Sequence, residues 1–128
     1  MYNWGVHFKK RNAMSEIKKI TQQIRKFRDD RDWKQFHNHK DVALSLVLEA
    51  SEVLEHFQWK SAVEVERHGK DAKDELSDEL ADVAIYLFEL ADNLGVDLPR
   101  AIGKKMKKNA LKYPVEKSKG KHTKYSQL

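Results

Sequence analysis

Apolar residues in this chain recur at helical spacing, and that periodicity limits the fold before any motif is read. Val42, Leu46, Val47, Ala50, Val53, Leu54 and Phe57 fall on one stripe at about 100° per residue. Leu76, Leu80, Val83, Ala84, Leu87, Leu90 and Leu94 form a second stripe, on a helix expected from Asp71 to Leu94 and ended by Gly95. An earlier helix, Ser15 to Asp29, carries Ile17, Ile20, Ile24 and Phe27, with Ser15 as its expected N-cap and Asp41 as that of the helix after it. The last begins near Leu98, tolerates Pro99 in its first turn and runs to about Tyr113, where Pro114 stops it. With only 5 Gly and 2 Pro among 128 residues, the chain suits helices better than a β-sandwich. The expected fold class is all-α, an antiparallel helical bundle.

Each central helix also carries a second apolar ridge, Leu44 and Leu48 on one and Ala81, Ile85 and Phe88 on the other. Two ridges require two burial partners, so the bundle is expected to assemble as a homo-oligomer. Residues 1–14 have no clear period and read as an N-terminal extension, and "RDDRDWKQFHNHKD" reads as a structured connection. Residues 115–128 are polar and poor in apolar residues, a composition that alone predicts a flexible tail. From Lys104 onward there are nine Lys against one acid, Glu116, which accounts for the net charge of +5. Such a basic end suits solubility, phosphorylated ligands or nucleic acid. The chain has no Cys, which excludes disulfide scaffolds and thiolate chemistry and agrees with a reducing compartment. Its apolar runs are too short to span a bilayer and its N-terminus lacks a secretory apolar stretch, so the expected location is the cytoplasm, with no membrane partner.

Within "LEASEVLEHFQW", Glu49 and Glu52 lie one turn apart along the margin of the apolar stripe instead of opposite it. Glu79 and Asp82 repeat the arrangement on the later helix. If the two helices share a core, their margins meet and four carboxylates converge. Such a cluster repels itself unless a cation resolves it, and an all-oxygen donor set favours Mg²⁺ over Zn²⁺ or iron. The chain has no Glu-x-x-His pairs on two helices, which argues against a di-iron bundle. Carboxylate-held Mg²⁺ with positions left to water is typical of sites that also take substrate phosphates. Lys105, Asn109 and Lys112 supply polar and cationic groups for phosphates, and Trp33, Phe36, Trp59 and Tyr86 supply flat surfaces on which a base can stack. His37 is open to two readings, a surface histidine or a contact to phosphate and base.

The E-x-x-E of "EASE", a spacer of 26 residues and the E-x-x-D of "ELAD" resemble the all-α nucleoside triphosphate pyrophosphatases, the MazG-like superfamily. "RDWKQFH", "EASEVLEHFQWK", "ELADVAIYL", "VDLP" and "KYP" resemble its dCTP pyrophosphatase branch. The resemblance implies a pyrophosphatase domain over 15–114, a homotetramer built from dimers, and Mg²⁺-dependent hydrolysis of a nucleoside triphosphate, dCTP or a related or modified dNTP, to monophosphate and pyrophosphate. It implies metal binding and catalysis by Glu49, Glu52, Glu79 and Asp82, and nucleotide contacts by Trp33, His37, Trp59 and Tyr86. Lys105, Asn109, Lys112 and Tyr113 resemble the family's K-x-x-x-N-x-x-[KR]-Y-P segment, which implies phosphate contacts there. Two features depart from the branch: Ile24 stands where vertebrate members have a substrate-contacting His, and the segment between the motif helices is shorter. The alternative reading of the Lys-rich end and the aromatics is a helical nucleic-acid-binding protein without catalysis, and the carboxylate pairs weigh against it.

Overall fold

The computed structural model describes residues 13–128, so the N-terminal extension lies outside the described residues up to residue 12. The described residues form six helices, α1 (Ala13–Asp29), α2 (His39–Glu55), α3 (Ala62–Asp71), α4 (Lys73–Asn93), α5 (Leu98–Lys112) and α6 (Val115–Ser118), and two 3₁₀ turns, Trp33–Phe36 between α1 and α2 and Tyr125–Gln127 after α6. No strand occurs among the described residues. The chain divides into two compact units, the first ending at Leu94 and the second spanning Gly95–Leu128.

In the first unit α4 is the central element, packed most extensively against α2 and less so against α1 and α3. α2 and α4 run antiparallel: Ser45 meets Tyr86, Glu49 faces Asp82 and Glu52 faces Glu79, so numbers rise along one helix as they fall along the other. α1 packs on the C-terminal end of α4, with Arg25 on Asp92 at 2.6 Å and Arg28 on Asn93 at 3.0 Å.

Several boundaries differ from the sequence reading. Ser15 lies inside α1, because Ala13 and Met14 are good helix formers and are taken into it. Asn38, not Asp41, caps α2: its Oδ1 accepts from the Asp41 backbone N–H at 2.9 Å while its Nδ2 donates to the Asp41 carboxylate at 2.7 Å. α3 is an additional helix that splits off ahead of α4, which starts at Lys73. A capping box initiates it, with Ser61 Oγ accepting from the Glu64 N–H at 3.3 Å and Glu64 accepting from the Ser61 N–H at 2.7 Å. These bonds hold the Glu64 carboxyl below its ordinary pKa.

The C-terminal end of α4 behaves as expected, with Gly95 in the left-handed region at φ 66° where a Cβ would be strained. In the second unit Asp97 caps α5, accepting from the Arg100 N–H at 3.2 Å, with Pro99 in the first turn. Residues 115–128, for which composition suggests no structure, carry two short helical turns, and Tyr125 rests edge-on against Tyr113 with the Lys112 ammonium 4.8 Å from its ring centre.

The two apolar stripes are only partly covered by the single chain. Val42, Leu76 and Ala91 are buried, but Val47, Leu54, Leu80, Leu87 and Leu94, expected in the core, are exposed, Leu80 by 57%. Leu44, Leu48 and Ile85 on the second ridges are also exposed, as expected. Of the other helices in this unit, α1 and α3 pack mainly on α4, so α2 keeps most of its apolar surface.

Candidate metal and nucleotide site

The antiparallel pairing of α2 with α4 brings the four acids together. Glu49, Glu79 and Asp82 each offer one carboxylate oxygen, and the three oxygens lie within 4.8 Å of one another. Glu52 completes the group, within hydrogen-bonding reach of Glu49 and Glu79. Two carboxylates can share such a bond only if one keeps a proton. Burial, followed by the charges of Glu52 and Asp82, pushes the Glu49 carboxyl above its ordinary pKa. Glu79 is also raised, first by its hydrogen bond with Glu52 and then by burial and the charge of Glu52.

Among the described residues no Lys or Arg forms an ion pair with any of the four. The His56 ring lies at the edge of the cluster, with Nε2 4.0 Å from Glu79 Oε1. An octahedral Mg²⁺ shell with bonds of about 2.0–2.1 Å spans about 4 Å across, which oxygens that all lie within 4.8 Å of one another can accommodate. The donor set therefore fits a hard divalent ion: all oxygen, half open to solvent and electrostatically strained when alone.

Tyr86, one turn beyond Asp82, lies at the edge of the cluster. Burial first, and then the charges of Glu49, Glu89 and Asp82, raise its phenol above the ordinary value, so it stays a neutral hydrogen-bonding group. Beyond it Trp33, on the 3₁₀ turn, packs edge-on against Phe27 at 5.9 Å and beside His37 at 6.2 Å between ring centres. The Arg31 guanidinium sits 3.6 Å from the centre of the Phe27 ring.

Trp59 behaves differently. It is 93% exposed, on backbone at φ 66°, and packs against almost nothing in this chain, so the structure does not join it to Trp33 and His37. Lys105, Asn109 and Lys112 occupy one face of α5 in the second unit, with Tyr113 at its C-cap.

Sequence reasoning missed three groups. Glu89 is 3% exposed and Arg28 4%, and both belong to a network in which Glu89 Oε1 accepts from His37 Nδ1 at 2.6 Å with Arg28 Nη1 3.5 Å away. His56 and His68 join ring to ring, Nδ1 to Nε2, at 2.9 Å beside Glu79. The only local signal for His56 is its place one turn beyond Glu52 on the same helix face.

Comparison with known proteins identifies the family. The MazG-like family matches residues 44–128. dCTP pyrophosphatase 1 of Rattus norvegicus is 45% identical over 104 residues, 80% of this chain and 61% of that protein. The Homo sapiens protein of the same name is 40% identical over the same length. The chain thus spans about three fifths of the length of the curated relatives it matches. A crystal structure of a pyrophosphatase from Archaeoglobus fulgidus superposes with a TM-score of 0.75 at 38% identity, covering 77% of this chain and 93% of that one.

Proposed function

This chain belongs to the MazG-like family, and on that premise we propose that it hydrolyses a nucleoside triphosphate, dCTP or a related or modified dNTP, to the monophosphate and pyrophosphate with Mg²⁺. The observation that carries the reading is the convergence of Glu49, Glu52, Glu79 and Asp82 with no Lys or Arg partner among the described residues. These four hold the ion, and a carboxylate oxygen left free of it takes the proton of the attacking water. Bound Mg²⁺ supplies charge neutralisation of the triphosphate and a lowered pKa for water. Tyr86 donates its hydroxyl hydrogen at the margin of the site. Trp33 and Trp59 offer stacking faces for the base, and His37 offers a ring nitrogen to its edge. Lys105, Asn109, Lys112 and Tyr113 serve the phosphates. Residues 15–114 form the pyrophosphatase domain in this reading and 115–128 a basic tail. The substrate pool is cytoplasmic; no described helix is long and apolar enough to cross a membrane.

A panel of canonical and modified dNTPs and NTPs incubated with Mg²⁺ tests the proposal. Monophosphate and pyrophosphate are expected, with cytosine nucleotides foremost. Diphosphate with inorganic phosphate, or no turnover across the panel, would refute it. Nucleic-acid binding through the Lys-rich end would persist without Mg²⁺ and without Glu49, whereas the hydrolysis needs both.

The exposed ridges Leu44, Leu48 and Ile85 support assembly into a homo-oligomer, a tetramer built from dimers. Light scattering at micromolar concentration should give a multiple of the 15.0 kDa chain mass, and Leu48→Glu should reduce it. A monodisperse wild-type monomer contradicts this assembly.

A further inference from the structure

Glu89 is a carboxylate without a role in the chemistry above, yet it is one of the most buried side chains described, at 3% exposure. Sequestering a carboxylate costs several kcal/mol unless hydrogen bonds and counter-charge compensate it. Here the compensation comes from two other segments. From α1, Arg28, itself 4% exposed, sits with Nη1 3.5 Å from Glu89 Oε1. The same guanidinium donates Nη1 to Asn93 Oδ1 at 3.0 Å and Nε to Asp29 Oδ1 at 2.9 Å, which fixes its plane. After the 3₁₀ turn comes His37, whose Nδ1 lies 2.6 Å from Glu89 Oε1.

A carboxylate only accepts, so the hydrogen in that short contact belongs to His37 Nδ1. In the neutral ring the other nitrogen, Nε2, then carries a lone pair and accepts. The His37 ring also stands 6.2 Å from Trp33, so its free edge is beside a stacking face. A base stacked on that indole would meet an acceptor on the imidazole, not a donor.

We propose that Glu89 is a positioning residue for base selection: it holds His37 in the Nδ1–H tautomer, so that Nε2 accepts from an exocyclic amino group and disfavours a base bearing a carbonyl there. Arg28 is the counter-charge that faces Glu89 in its buried place. The inference rests on the reading of this site as a nucleoside triphosphate site. It deepens that reading by assigning a chemical preference to a carboxylate that touches no substrate. The natural probe pair is dCTP and dUTP, which differ in the amino or carbonyl group at position 4 of the ring.

The full chain labelled with ¹⁵N-histidine reports the tautomer directly, with the His37 signals identified by their loss in His37→Ala. At pH 8.5, well above the ordinary histidine pKa of about 6.5, the His37 ring should show a protonated Nδ1 and an unprotonated Nε2. A protonated Nε2, alone or together with Nδ1, overturns the proposal without any variant at position 89. In Glu89→Gln the amide can present its NH₂ to Nδ1, and the ratio of kcat/KM for dCTP over dUTP should fall about tenfold, the worth of one neutral hydrogen bond. His37→Ala should lower the ratio comparably, and the double variant no further. A purely structural role for Glu89 would lower both rates together and leave the ratio unchanged, which also overturns the proposal. Absence of turnover with either nucleotide in the wild-type protein defeats the pyrophosphatase reading and base selection with it, whereas intact turnover with an unchanged ratio defeats the role of Glu89 alone.

Discussion

Asp82 and Glu89 stand seven residues apart on α4, about 10 Å along one helix, yet they carry their charges in opposite ways. Asp82 faces like charges, Glu49 across the helix pair and Glu79 one turn back, with no Lys or Arg partner among the described residues. Glu89 is sealed from water and satisfied by Arg28 and His37. The first arrangement is incomplete without a cation from outside. The second is complete in itself and serves to hold a ring in place. Acidity alone would not separate the two; burial and the sign of the neighbouring charges do.

Neutralising the open cluster should have the largest effect. Glu49→Gln, Glu52→Gln, Glu79→Gln and Asp82→Asn should each reduce turnover by about a thousandfold, since each removes a metal charge. Metal-free thermal stability should hold or rise in the same variants, because a repulsion is removed. Near-wild-type rates in two of the four would end the metal assignment. The pH dependence has a definite sign. Glu49 and Glu79 have folded pKa values raised above the ordinary 4.5, so the folded chain holds their protons more tightly than the unfolded one does. Their contribution favours the fold at low pH and is lost as pH rises from about 4.5 through the raised values. Melting with chelator should therefore show a loss across that window, compared with the same melts of Glu49→Gln, and Mg²⁺ should restore it. A wild-type profile that parallels the variant's would remove the repulsion from the account.

Breaking the closed network should cost stability instead. Glu89→Leu leaves Arg28 buried with only Asp29 and Asn93 as partners, and urea unfolding should register a loss of about 3 kcal/mol. Adding Arg28→Met should recover most of that loss, since an apolar pair can replace a buried ion pair. Equal stability of Glu89→Leu and wild type would show that the network bears no charge needing compensation.

This contrast also explains what could be read from the sequence. Glu49, Glu52, Glu79 and Asp82 were legible because spacing within one helix turn is local and because each pair sits on an apolar margin. Their meeting across α2 and α4 followed from two stripes that had to share a core. Glu89 gave no such signal: it lies between Phe88 and Leu90, and its partners His37 and Arg28 are remote in sequence. α3 gives little apolar signal because its ten residues include only Ala62, Val63 and Val65 as apolar side chains, although Ser61 and Glu64 spell a capping box. The exposed Leu80 and Leu87 were placed in the core because periodicity says which residues share a face and not whether one chain suffices to cover it.

The smallest effect is expected at Trp59, which belongs to neither arrangement. A non-glycine residue at φ 66° carries strain of about 1 kcal/mol or more, and at 93% exposure no packing within the chain offsets it. Strain held by an exposed indole is consistent with a ring kept ready for a ligand. Replacing it with Ala removes the ring and keeps the strained backbone, whereas Gly removes both. KM for every nucleotide tested should rise about tenfold in either variant, because stacking contributes about 1–3 kcal/mol and does not depend on which base is bound. Stability should separate them: Trp59→Gly should be the more stable by about 1 kcal/mol, since glycine adopts this conformation without cost. If KM is unchanged in both, the base stacks elsewhere and Trp33 is left as the platform. If the Ala variant loses several kcal/mol, Trp59 is covered in the assembled protein, and its place is in an interface between chains.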